Sequence, residues 1–158
     1  MIIKRENLHK LREDNKNKKI IFAGGVFDLL HITHIRTFKN LRKYGDIVVI
    51  GIVSDKRVKE RKGPSRPILT QSERIEIADA IKYVDYVVQL SDPDKKSPVP
   101  TMEILKKLKP DVFVSVDEKW KEYETLINDL GIELEIVKRI HPDSTTSIIK
   151  RVHDSKVD

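Results

Sequence analysis

Apolar positions along this chain fall into two kinds of segment that take turns. One kind is a short, nearly continuous apolar run, as expected of a strand buried on both faces; the other spaces its apolar residues by three or four, as a helix with one inward stripe does. In chain order, residues 5–15 predict a short amphipathic helix through Leu8 and Leu11. Residues 20–23, IIFA, predict the first strand, bounded by Gly24-Gly25. From about Thr33 the spacing of Ile35, Phe38 and Leu41 predicts a helix, with Gly45 as its stop signal. Residues 46–54, DIVVIGIVS, read as the second strand and 55–66 as a basic loop.

The second half repeats the alternation. Residues 71–83 predict a helix with Ile75, Ala78 and Ile81 inward, capped by Thr70 or Ser72. Residues 84–90 form the third predicted strand, and 91–100, with Pro93, Pro98 and Pro100, a loop. A helix over 101–109 leads through Pro110 into a fourth strand, 111–116. Residues 120–130 are helical up to Gly131, 132–140 alternate as an edge strand does, and 144–152 predict a last helix capped by Ser144 or Thr145. Strands alternating with helices imply right-handed crossovers: an α/β fold with a doubly wound, five-stranded parallel sheet, in one domain over residues 1–158. In such sheets ligands bind beyond the carboxyl ends of the strands. The 24–34 junction and the basic stretch each follow a strand directly, so both fall on that rim.

Composition narrows the class. No twenty-residue apolar span is present and the start, MIIKRENLHK, has no signal-peptide core, so a soluble cytoplasmic protein is expected, with no membrane partner. Cysteine is absent, which excludes disulfides, thiolate metal sites and a cysteine nucleophile. The net charge of +6 is uneven: residues 55–66 hold six basic residues against two acids. Such an excess suits a polyanion. With one Trp and no aromatic-studded basic stripe, nucleic acid is not the expected partner.

Chemistry concentrates at residues 20–40. Gly24-Gly25 would let the backbone turn sharply and approach a ligand with no Cβ in the way. His31 and His34 stand at a strand-to-helix junction, one helical turn apart. Helix N-termini carry orphan N–H groups and a partial positive charge, and two imidazoles add donors there. The physics is that of a phosphate site.

The stretch GGVFDLLHITH resembles the signature of the HxGH nucleotidyltransferase superfamily, in its cytidylyltransferase-like branch. KGPSRPILTQSERIEIADAIKYVDYVV is similar to the middle block of the ethanolaminephosphate, choline-phosphate and glycerol-3-phosphate cytidylyltransferases, and of the adenylyltransferase domain of bifunctional heptose-phosphate enzymes. RIHPDSTTSIIKRV resembles the family's R-x-x-x-x-STT-x-I block. The resemblance implies a Rossmann-like nucleotidyltransferase fold and transfer of a nucleoside monophosphate, CMP favoured, from a nucleoside triphosphate to a phosphorylated small alcohol or sugar, with release of pyrophosphate. The alternatives are an adenylyltransferase acting on a sugar phosphate or FMN, and a non-catalytic nucleotide-binding regulatory protein. Mg²⁺ would enter with the triphosphate, and a homodimer is one assembly the resemblance allows.

By that resemblance His31, His34 and Lys62 are catalytic, Lys62 from a mobile loop. Gly24, Gly25, Val26, Phe27, Asp28, Thr33, Arg74, Asp117, Arg139, Ser144, Thr145 and Thr146 contact the nucleotide. Two positions depart from the pattern: Thr33 stands where the family has the glycine of HxGH, and Val116 replaces the glycine of a VxGxD segment near the base. Plainer readings exist for several of these. Arg74 could pair with an acid across helices, Ser144-Thr145-Thr146 is a good helix cap with or without a ligand, and Trp120 reads as packing.

Overall fold

The computed structural model describes residues 1–92, 99–138 and 144–155. Its strands are β1 (Ile2–Ile3), β2 (Ile20–Gly25), β3 (Ile47–Ile52), β4 (Tyr86–Gln89), β5 (Val112–Ser115) and β6 (Glu133–Ile136). All pair in parallel, in the order β1-β4-β3-β2-β5-β6. Among the described residues the sheet therefore has six strands rather than the five expected. The added one is β1, with Ile2 beside Val87 and Ile3 beside Val88. Two residues have no period to read. The predicted edge strand is β6; residues 139–140 at its expected end lie outside the described residues.

Alternation along the strands sorts side chains into two cores. Ile20 and Phe22 face one way with α1 (Leu8–Asp14), α5 (Pro100–Leu108) and α6 (Glu124–Asp129), which supply Leu8, Leu105 and Ile127. Ile21 and Ala23 face the other way, toward α2 (Ile32–Leu41) and α4 (Gln71–Asp79), which supply Phe38, Leu41, Ile75 and Ala78. Phe22, at 0% exposure, alone contributes roughly 1.5–3 kcal/mol through burial. Pro93 and Pro98 of the predicted loop lie outside the described residues, and Pro100 begins α5, where its missing N–H is harmless.

The basic stretch is not a loop. Residues 55–62 form a helix, α3 (Asp55–Lys62). The Ser54 hydroxyl accepts from the Arg57 N–H at 3.2 Å as its cap, and Lys59, Arg61 and Lys62 fill the last turn, where cations meet the helix dipole. Gly63, at φ +92, stops it. Lysine, arginine and glutamate are good helix formers, and the density of charge hid this. At the far end of the chain lies α7 (Thr145–Asp154).

β2 leads one way to β3 and β4 and the other way to β5 and β6. The strand order reverses between β2 and β5, and a crevice opens there at the carboxyl ends.

Candidate active site

Both glycines of the first motif belong to β2, and neither has a positive φ. The sharp turn expected of them comes later, at Phe27 (φ 50) and Leu29 (φ 44). Left-handed backbone at such residues costs on the order of 1–3 kcal/mol and persists where surroundings over-determine it. Gly25 serves a different need: a Cβ there would lie 2.7 Å from the Phe27 ring. The two strained residues bracket Asp28 and turn its carboxylate inward, to 3% exposure. It accepts from the backbone N–H groups of Ile68 at 2.9 Å and Leu69 at 3.0 Å. Asp28 thus holds the segment before α4 against the first loop.

His31 is the N-cap of α2, with extended backbone at φ −136 and ψ 177. Its N–H donates to Nδ1 of His34 at 3.4 Å, and the two rings lie 4.0 Å apart between centroids. An acceptor role at Nδ1 leaves the proton of neutral His34 on Nε2. Phe27 meets the His34 ring edge-on at 5.4 Å, so packing orients the imidazole. Thr33 is the second residue of α2, 8% exposed, and its carbonyl accepts from the Thr37 hydroxyl at 2.9 Å. The cap belongs to His31, not to Thr33.

Arg74 is not where a nucleotide ligand would be. Its side chain is 0% exposed and it donates to the carbonyls of Leu69 at 3.1 Å, Val26 at 2.6 Å and Val53 at 2.9 Å, and to Asp55. One guanidinium ties the ends of β2 and β3 to the starts of α3 and α4. A fully enclosed cation with these acceptors has no surface left for a phosphate. Lys62 ends α3 rather than riding a mobile loop, because the preceding residues complete helical turns. Asp117 follows β5; its carboxylate accepts from the Lys119 N–H at 3.2 Å and lies 3.6 Å from Arg61.

At α7, Ser144 is the N-cap, accepting from the Ser147 N–H at 3.2 Å. The hydroxyl of Thr145 donates to the Asp28 carbonyl at 2.8 Å.

These pieces enclose a cavity of about 490 Å³. Residues 24–28, His31, Thr33, His34, Lys62, Asp117 and 144–146 all line it. Arg74 does not, and Arg139 lies outside the described residues. The cavity also takes in Arg61, Arg66 and Trp120, which the sequence reading did not single out as ligands. The signal for Arg66 was present: a cation four residues after Lys62, in the same basic stretch. Trp120 meets Phe113 edge-on at 4.8 Å, so the expected packing role is real, and it lines the cavity as well. Among the described residues no group of three or more His, Asp or Glu side chains is placed to hold a metal, and no helix is long and apolar enough to cross a membrane.

A doubly wound parallel sheet here gathers two histidines, several cations and a helix start around one crevice, the arrangement expected of a phosphate site. The comparisons agree. The family model described as cytidylyltransferase-like matches residues 22–153, and this chain belongs to that family. Bifunctional protein HldE of Campylobacter concisus (strain 13826) is 35% identical over 153 residues, covering 97% of this chain and 31% of that protein. HldE of Aliarcobacter butzleri (strain RM4018) is also 35% identical over 153 residues, with 96% and 31% covered. The chain spans about a third of the length of these relatives. Among solved structures, the lipopolysaccharide core biosynthesis protein from Thermoplasma volcanium GSS1 superposes with TM-score 0.63 and 28% identity, over 80% of this chain and 99% of that one. Pantoate-beta-alanine ligase from Francisella tularensis, at TM-score 0.61 and 15% identity over 98% of this chain and 78% of that one, shares the fold.

Proposed function

We propose that this chain transfers AMP from ATP to a phosphorylated sugar and releases pyrophosphate. The observation that carries the reading is the match to HldE over nearly the whole of this chain, since the C-terminal domain of HldE is a heptose-phosphate adenylyltransferase. The sequence reading favoured CMP; the relatives support AMP better. The likeness to the lipopolysaccharide core biosynthesis protein of Thermoplasma volcanium supports a sugar-phosphate acceptor.

A phosphate monoester has a second pKa of roughly 6, so the acceptor is largely dianionic at neutral pH and needs no general base. Its oxygen attacks the α-phosphorus, the bond to the β-phosphate breaks, and the electron pair leaves with pyrophosphate. The protein's task is to align the partners and to neutralise charge. His34, with its proton on Nε2, and His31 donate to phosphate oxygens where charge grows. Lys62 neutralises the reacting phosphates from the end of α3. The first turn of α7 holds the terminal phosphates with its amides and the hydroxyl of Thr146. The base lies at the end of β5, against Val116, Asp117 and Trp120.

Mg²⁺ would be bound together with the triphosphate. Among the described residues the cavity's two carboxylates, Asp28 and Asp117, are already engaged, so these residues offer no cage of their own. Phosphate oxygens and water would be the ion's ligands, and its chemistry is charge neutralisation.

A screen of the four nucleoside triphosphates against phosphorylated sugars and alcohols, reading pyrophosphate release, tests this. ATP with a sugar phosphate should give the fastest release. Faster release with CTP would restore the cytidylyl reading. Binding of ATP without turnover on any acceptor would favour the regulatory alternative.

A further inference from the structure

A second cavity, of about 600 Å³, lies between the 65–68 segment and α7. Lys62, Arg66 and Thr146 line both cavities, while Ser65, Ile68 and Ile149 line this one and not the first. The two spaces share a cationic wall.

Arg66 is the unusual member of that wall. Its side chain is 11% exposed, yet it is poorly partnered. Nη2 donates to the Thr146 hydroxyl at a long 3.4 Å. Nη1 is fully enclosed, has no hydrogen-bond partner among the described residues, and lies 3.7 Å from the Asp28 carboxylate. That carboxylate is already held by the Ile68 and Leu69 N–H groups. An arginine carries five N–H donors in a planar fork that matches phosphate oxygens. An enclosed guanidinium short of acceptors disfavours the empty protein and favours one in which an anion supplies them.

We propose that Arg66 closes a second phosphate subsite, in the cavity beside α7 and outside the nucleotide cavity it borders. The inference rests on the nucleotidyl-transfer reading. Transfer needs two phosphoryl groups beside the α-phosphate, one attacking and one departing, so a subsite sharing a wall with the nucleotide cavity suits either. Its ligand is therefore the phosphate of the acceptor or the pyrophosphate product. Ser65 offers a hydroxyl, and Ile68 and Ile149 an apolar flank.

Calorimetry on the full chain tests it, with inorganic pyrophosphate and methyl phosphate as probes and AMP as the control for the nucleotide cavity. Ser65→Glu and Ile149→Glu each put a carboxylate into the second cavity alone. They should weaken one probe by about tenfold or more while AMP affinity stays within about twofold. Loss for pyrophosphate assigns the subsite to the leaving group, and loss for methyl phosphate assigns it to the acceptor. Arg66→Gln should lose the same binding with no fall in the unliganded thermal midpoint, because the guanidinium is short of partners there. A midpoint lowered by several degrees with binding retained would make Arg66 a brace between Asp28 and α7, and overturn the proposal. So would the absence of saturable binding of either probe, or binding unchanged in both glutamate variants. Failure of wild-type protein to bind AMP would count against adenylyl transfer and leave the subsite to be judged on the two probes.

Discussion

The hydroxyl of Thr145 donates to the backbone carbonyl of Asp28 at 2.8 Å, joining positions 117 residues apart in the chain. That bond docks the start of α7 onto the strained turn that carries the motif toward His31. It joins the two halves of the candidate site into one object. Thr145→Val keeps the shape and removes the donor. It should cost about 1 kcal/mol of stability, the net value of one such bond. Triphosphate affinity should fall by more than that, because the α7 amides lose their registration. Urea denaturation and calorimetry on the same variant check both; unchanged nucleotide affinity would show that α7 docks without Thr145.

Arg74 should behave as a structural cation. Arg74→Met leaves three carbonyls and Asp55 without their donor. Removing one partner of a buried ion pair typically costs ~3–5 kcal/mol, and that loss is expected in chemical denaturation. A variant of near-native stability with weakened nucleotide binding would return Arg74 to the list of ligands.

Glu103, on α5, lies 3.3 Å from Arg5, 3.0 Å from Lys107 and 3.2 Å from the Ser91 hydroxyl. Burial pushes its pKa up, but Lys107, Arg5 and Ser91 outweigh that and hold it below the ordinary 4.5. A depressed folded pKa contributes stability that is present above the unfolded value and lost as pH falls through the folded one. Glu103→Gln should therefore be less stable than wild type at neutral pH, and the gap should close below about 4.5. A gap that persists unchanged into acid would mean that packing, not charge, sets Glu103's contribution.

His31→Ala and His34→Ala should each lower turnover by ~10²–10³, the usual loss for one preorganised donor to a developing anion. Pyrophosphate release under saturating substrates is the readout, with thermal melting to confirm folding. A loss below about threefold in a folded variant would place the histidines outside the chemistry.

Much of this architecture was legible beforehand, for identifiable reasons. β2, β3 and β5 are buried on both faces, so their apolar runs have no polar interruption to misread. The two-residue β1 and the charged α3 escaped, one because it is too short for a period, the other because its inward face is Val58 alone. The candidate site was legible mainly through its motifs, since only topology brings Asp28 beside Thr145. The strain at Phe27 and Leu29 leaves no mark on residue type. Arg74 and Arg66 look alike as letters, and their difference is burial among carbonyls for one and a shortage of acceptors for the other.

Thr33 is where those differences matter most, because it stands where the family carries a glycine. It is 8% exposed in the first turn of α2 and lines the cavity, while His31 supplies the cap. Glycine there would remove a packed side chain and loosen the turn that presents His34. The helix penalty against a residue like threonine is a few tenths of a kcal/mol, within the roughly 1 kcal/mol that separates glycine from alanine. A larger effect should come from the imidazole, whose bond from the His31 N–H is already long at 3.4 Å. Turnover in Thr33→Gly should therefore fall, with triphosphate affinity changing less than rate. Steady-state kinetics with ATP separate the two. A variant turning over about tenfold faster than the natural protein would mean that the branched side chain obstructs the nucleotide, and that the site is a lapsed copy of the family's rather than an adapted one.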